Sequence, residues 1–194
     1  MSDFEVISDV STTLKQVLSD ALAATPLAAT VVDINNLADT VSTTPPKLTI
    51  FLYELAEDPS QRNRPQRRTD VGTGIEISKP PMAMILRYLI TAWAGDMLTE
   101  QQLLGRTLQV LYDGAVLSGP QLSGDLAGTD EALKVALVPL TLEEKSRVWY
   151  AVQQPYRLSL NYEIRVVNID PLSSEQVAPV TSRIIDGAVP TESP

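Results

Sequence analysis

The chain holds 194 residues, 44% of them hydrophobic, at a mean hydropathy near zero, which suits one globular domain with an ordinary core and leaves room for a tail. A net charge of -9 and a pI near 4.5 repel phosphate backbones and anionic membrane surfaces, so general nucleic-acid binding is set aside. The absence of cysteine and histidine excludes disulfides, thiolate metal sites and every Ser/His or Cys/His nucleophilic arrangement.

The first residues, MSDFEVISDV, lack a positive region followed by an apolar one, and no apolar run reaches the ~18 residues of a membrane span. The expectation is a soluble protein kept in the cytoplasm of the producing cell. From Phe4 to Ala24 the apolar positions Val6, Ile7, Val10, Leu14, Val17, Leu18, Ala21 and Leu22 follow helical spacing and predict an amphipathic helix stopped by Pro26. Ala28 to Ile34 reads as a short strand, and Leu37 to Val41 has no clear period. Lys47 to Leu55, KLTIFLYEL, carries apolar side chains on both faces and predicts a central strand.

Residues 56–73, AEDPSQRNRPQRRTDVGT, hold almost nothing apolar and four arginines, Arg62, Arg64, Arg67 and Arg68, and read as an exposed loop. Ile75 to Pro81 leads into Met82 to Ala94, an apolar run that predicts a strand buried on both faces. Thr99 with Gln102 has the pattern of a capping box opening a helix to Asp113, with Leu103, Leu104, Leu108 and Leu111 inward and Gly114 as its stop. The glycine-rich stretch Ala115 to Thr129 reads as turns, and Asp130 to Leu140 as a short strand that Pro139 places at a sheet edge. Thr141 with Glu144 is a second capping box, opening a helix through Trp149 and Tyr150.

Tyr156 to Val167, YRLSLNYEIRVV, alternates strictly. Tyr156, Leu158, Leu160, Tyr162, Ile164 and Val166 form an apolar face, while Arg157, Ser159, Asn161, Glu163 and Arg165 form a polar face for water or a partner. This strand and Met82 to Ala94 are expected at the centre of one sheet. After Asp170-Pro171 the chain turns small, polar and proline-rich.

Few residues carry chemistry. The acidic clusters at Glu54, Glu57 and Asp58, at Asp130 and Glu131, and at Glu143 and Glu144 suit solvated faces better than a carboxylate pair across a cleft. Gly72-Thr73-Gly74 lacks the third glycine of a dinucleotide loop, and no S-x-x-K spacing occurs. The arginine segment lacks the aromatic interleaving of a single-strand nucleic-acid groove, so an acidic protein partner is its better functional reading. Trp93, Tyr88, Trp149 and Tyr150 suit core or interface anchors rather than a cofactor box.

LRYLITAWA at Leu86 to Ala94, LLGRTLQVLYD at Leu103 to Asp113 and YRLSLNYEIRVVNIDP at Tyr156 to Pro171, in that order, resemble the cap or tail-terminator proteins of contractile injection systems. The resemblance runs from the N-terminal helix to about residue 171. It implies a tail-terminator-like α+β fold with a mixed, largely antiparallel sheet flanked by two or three helices. It further implies a non-enzymatic ring, usually of six copies, seated on inner tube and sheath to end polymerisation. No cofactor, membrane, nucleic acid or small-molecule substrate is expected. Residues 1–171 are expected to form one domain and 172–194 an extended or partner-ordered tail. The residues expected to touch neighbours are Arg62, Arg64, Arg67, Arg68, Arg157, Glu163 and Arg165. Two other readings stay open: a monomeric adaptor whose arginine segment binds an acidic partner, and a carboxylate-dependent hydrolase.

Overall fold

A computed structural model of the chain describes residues 4–72 and 74–177. The chain divides into two compact units, Met1–Asn63 with Pro81–Asp170, and Arg64–Pro80 with Pro171–Pro194. The fold is α+β, with three α-helices among the described residues and a mixed, mostly antiparallel sheet.

In the first unit, six strands run in the order β1 (Val31–Ile34), β2 (Lys47–Glu57), β5 (Met82–Trp93), β8 (Ser159–Ile169), β7 (Ala132–Leu137) and β6 (Val116–Ser118). β1 lies parallel to β2, and every other pairing is antiparallel. The two strands expected at the centre, β5 and β8, are indeed the third and fourth. β7 is not an edge: it pairs with β8 on one side and with β6 on the other. Its Pro139 falls beyond the strand, where it costs no ladder bond.

Helices α1 (Val6–Ala23) and α2 (Met97–Asp113) cover one face. Val10, Leu14 and Leu18 of α1 and Leu103 and Leu111 of α2 pack with Leu86, Tyr88 and Ile90 of β5 and with Tyr162 and Ile164 of β8 in the main core. Helix α3 (Leu142–Ala151) contributes its one buried residue, Trp149, to a second cluster with Leu37, Val41, Leu89 and Trp93. Leu89 and Trp93 of β5 therefore pack with Trp149 of α3 while its even-numbered residues from Met84 to Ala92 pack in the core with α1 and α2, which is why this strand is apolar on both sides.

The capping box at Thr141 forms as expected: the Thr141 hydroxyl accepts from the Glu144 amide at 3.2 Å, and Glu144 accepts from the Thr141 amide at 2.8 Å. The box expected at Thr99 does not; Asp96 caps α2 by accepting from the Thr99 amide at 2.9 Å, so the cap lies three residues earlier. Gly114 ends it, its amide bonded to the Val110 carbonyl at 2.9 Å. The stretch read as turns contains strand β6 and two short 3-10 turns at Gly119–Gln121 and Gly124–Leu126. The second turn is tied to α1, where Asp9 accepts from the Asp125 amide at 2.9 Å.

The second unit holds a three-stranded antiparallel sheet, β3 (Arg67–Asp70), β4 (Ile75–Ser78) and β9 (Ser174–Val177), with β4 in the middle. The reading of 56–73 as unstructured is thus corrected: Pro59–Gln61 is a 3-10 turn and Arg67–Asp70 is a strand. The connection after β3 is shaped by Asp70, whose carboxylate accepts from the Gly72 amide at 3.0 Å, and by Gly72 at φ 75°. Ser174–Val177 is an extended strand of the expected tail, and the rest of that tail, 178–194, lies outside the described residues.

Candidate assembly surface

Of the seven residues singled out by sequence, Arg62, Arg157, Glu163 and Arg165 belong to the first unit and Arg64, Arg67 and Arg68 to the second. Arg62 pairs with Glu57 at 3.2 Å and stays largely exposed. Arg64, Arg67 and Arg68 belong to the second unit, where Arg67 and Arg68 lie on β3 with every residue of the strand exposed. Alternation puts Arg68 on the sheet face shared by Ile75 and Ile77, and Arg67 on the face shared by Glu76 and Ser78.

The polar face of β8 meets neither water nor an open boundary along most of its length. Ser159, Asn161 and Glu163 are all buried, whereas Leu158 on the nominally apolar side is exposed because it precedes the paired part of the strand. The reason is the second layer: α3 and the Leu37–Val41 segment cover this side of the sheet, and Asn161 and Glu163 find their partners inside the chain while the Ser159 hydroxyl is buried without one. Asn161 accepts from the Tyr53 hydroxyl at 2.7 Å and donates to the Val138 carbonyl at 3.0 Å. Glu163, 3% exposed, accepts from Arg87 Nε at 3.1 Å through one oxygen and from Arg165 Nε through the other. Arg87 also grips Glu54, donating from Nη1 to both carboxylate oxygens at 2.8 and 2.9 Å. Strands β2, β5 and β8 are therefore stitched by one Glu54–Arg87–Glu163 line.

Electrostatic effects follow that geometry. The hydrogen bonding of Arg87 to Glu54 is the largest influence raising the Arg87 pKa above its ordinary value. Burial raises the Tyr53 phenol, with the Glu54 charge adding to it, and burial likewise raises the Tyr88 and Tyr162 phenols. A bulge where β5 advances from Met84 to Leu86 while β8 runs from Val167 to Ile164 reverses the alternation, so Val167 joins the main core. Arg157 is held apart from this network, at 2.9 Å from Glu100 Oε1 and 4.4 Å above the Trp93 ring.

Sequence reasoning missed an apolar groove of about 470 Å³ between α2 and β7, lined by Leu108, Leu111, Tyr112, Val135 and Leu137. Tyr112 is 84% exposed beside it. Its only sequence signal is that Tyr112 continues the Leu104–Leu108 spacing of α2 by four residues, which reads equally well as core. Chemically, the surfaces on offer are charged strand edges and apolar grooves. Among the described residues no group of three or more Asp or Glu is placed to hold a metal ion, and Glu54 and Glu163 are both bound to Arg87.

The fold matches solved structures of particle components. It is similar to the PVC sheath/tube terminator, in its extended state, of an extracellular contractile injection system, at TM-score 0.68 and 24% identity, covering 99% of this chain and 67% of that one. It is also similar to the anti-feeding prophage tube-terminating cap, at TM-score 0.63 and 18% identity, covering 95% of this chain and 61% of the other. The chain thus spans about two-thirds or less of those proteins' length. No curated protein matches its sequence. The family model of the Pvc16 N-terminal domain matches residues 9–183, nearly the whole chain, and to that family the protein belongs.

Proposed function

We propose that the protein is a structural cap of a contractile injection system: a non-enzymatic ring, six copies in the simplest form, that sits on the last layer of inner tube and sheath and ends their polymerisation. The observation that carries this reading is the correspondence of 99% of the chain to the fold of a sheath/tube terminator. A closed ring needs head-to-tail contacts, and its two faces then differ, so one can match the tube while the other blocks further addition. Arg62, Arg64, Arg67 and Arg68 are the proposed contacts to neighbours. Arg157, Glu163 and Arg165 serve the same end by holding the sheet in shape, since all three are committed to ion pairs within the chain.

The test is electron microscopy of particles assembled with and without this chain. Overlong, irregular or unstable tube and sheath in its absence supports the cap; particles of normal, uniform length overturn it. Charge reversal at Arg67 and Arg68 is expected to lower incorporation into particles with the thermal midpoint unchanged. A strict monomer that still binds an acidic protein through Arg67 and Arg68, but never a tube or sheath, would favour the adaptor instead.

A further inference from the structure

The three-stranded sheet of the second unit has two unlike open edges. Among the described residues β3 and β9 each pair only with β4, and every residue of both strands is exposed. Each therefore presents backbone N–H and C=O groups that an added strand can pair. The side chains on the two edges are complementary in net charge: β3 carries Arg67, Arg68 and, at its end, Asp70, whereas β9 carries Glu175 alone.

The register sharpens this. Ile77 stands opposite Arg68 on one side and opposite Glu175 on the other, so Arg68 and Glu175 occupy the same rung and the same sheet face, two strands apart. In the same way Glu76 aligns Thr69 with Gln176, Ser78 aligns Arg67 with Ser174, and Ile75 aligns Asp70 with Val177. β3 and β9, both antiparallel to β4, run parallel to each other.

We infer that this sheet is a subunit joint, in which β9 of one copy pairs in parallel and in register with β3 of the next. This deepens the cap reading and rests on it. An edge that continues the sheet without shifting the rung sets Glu175 of one copy beside Arg68 of its neighbour, with no like-charge pair in the joint. Because the donor and acceptor edges differ, the contact is heterologous and propagates around a rotation axis until it closes. A shift by one residue would set Arg67 rather than Arg68 opposite Glu175 and turn one sheet face over against the other, so the charge pair selects the partner edge and the continuity of the sheet faces fixes the register. Four-residue strands make a small contact, well under the ~1,000 Å² of a stable interface, so the joint is weak by itself and the tube strengthens it as a template.

The absence of cysteine from the chain makes the test clean. In the full-length Thr69→Cys/Gln176→Cys protein the two thiols of one copy lie two strand spacings apart, about 9.5 Å. That exceeds the ~7 Å limit for a disulfide, whereas thiols across the joint are one spacing apart. Mild oxidation of assembled particles should give a reducible ladder of covalent oligomers. Arg68→Glu in that background should cut the ladder several-fold, and adding Glu175→Arg should restore it. Monomer alone, in particles that contain the protein by immunoblot, overturns the joint while leaving the cap reading intact. Dimers from either single-cysteine variant point to a two-fold contact and overturn it too, and so does failure of the charge swap to restore the ladder. Absence of the protein from particles overturns both readings.

Discussion

Glu163 is a charged group at 3% exposure in the middle of a six-stranded sheet, tolerated because Arg87 and Arg165 occupy its two oxygens. Removing one partner of a buried pair leaves an uncompensated charge, a loss of about 3–5 kcal/mol when burial is complete. Arg165 remains in place and the Arg87 side chain is one-third exposed, so Arg87→Met is expected to cost less, about 2 kcal/mol in urea unfolding. Arg87→Met/Glu163→Gln should recover part of that. A cost below about 0.5 kcal/mol, the scale of a surface pair, would show that the network does not hold the strands together. The helix caps respond to acid. Hydrogen bonds from Thr141 hold the Glu144 carboxyl below its ordinary 4.5, and those from Thr99 hold Asp96 below its ordinary 3.8. A depressed folded-state pKa adds stability that is complete above the ordinary value and disappears as pH falls through the lower folded one. The difference in thermal midpoint between the native chain and Glu144→Gln should therefore be present near neutral pH and shrink below pH 4.5, and a difference independent of pH would contradict the cap.

At the scale of elements, α3 depends chiefly on a single side chain. Trp149 is its one buried residue, set edge-on to Trp93 with ring centroids 6.2 Å apart. Trp149→Ala is expected to cost about 3–5 kcal/mol by the usual penalty for emptying a large core site. Because no other residue of α3 is buried, amide exchange should rise through Leu142–Ala151 before it rises in β5. Equal protection of α3 in the variant would show that its capping box and exposed face suffice. The β5 strand would behave differently: it is covered on both sides, and its loss of protection should accompany global unfolding.

For the whole molecule, the relevant contrast is between a net charge of -9, which drives copies apart, and a proposed function that brings them together. The opposing contributions are local, the arginines of β3 and the apolar groove beside Tyr112. Solution mass is therefore expected to stay near one copy, 21.1 kDa, when dilute at low salt, and to rise with salt as the Debye length falls from ~30 Å to ~8 Å. Light scattering over that range checks it. A mass that instead falls with added salt would mean that charge pairs, rather than backbone and apolar contacts, dominate association.

The elements with a clean period were legible without a structure: α1 by its stripe, β5 by its apolar run, β8 by its alternation, α3 by the Thr141–Glu144 box, and with them the α+β class. Those signals act over about four residues and so survive in the chain alone. The candidate surface was less legible. β3 and β9 carry almost no apolar pattern and exist as strands because β4 pairs with both, and β6 exists because β7 does. The buried polar face of β8 depends on Tyr53, 108 residues from Asn161, and on Arg87, 76 residues from Glu163. Alternation in the sequence separates two faces, but only packing decides what covers each one. Here α3 covers the polar face and turns an expected boundary into an internal clamp, while the exposed charge lies on strand edges that pairing alone creates.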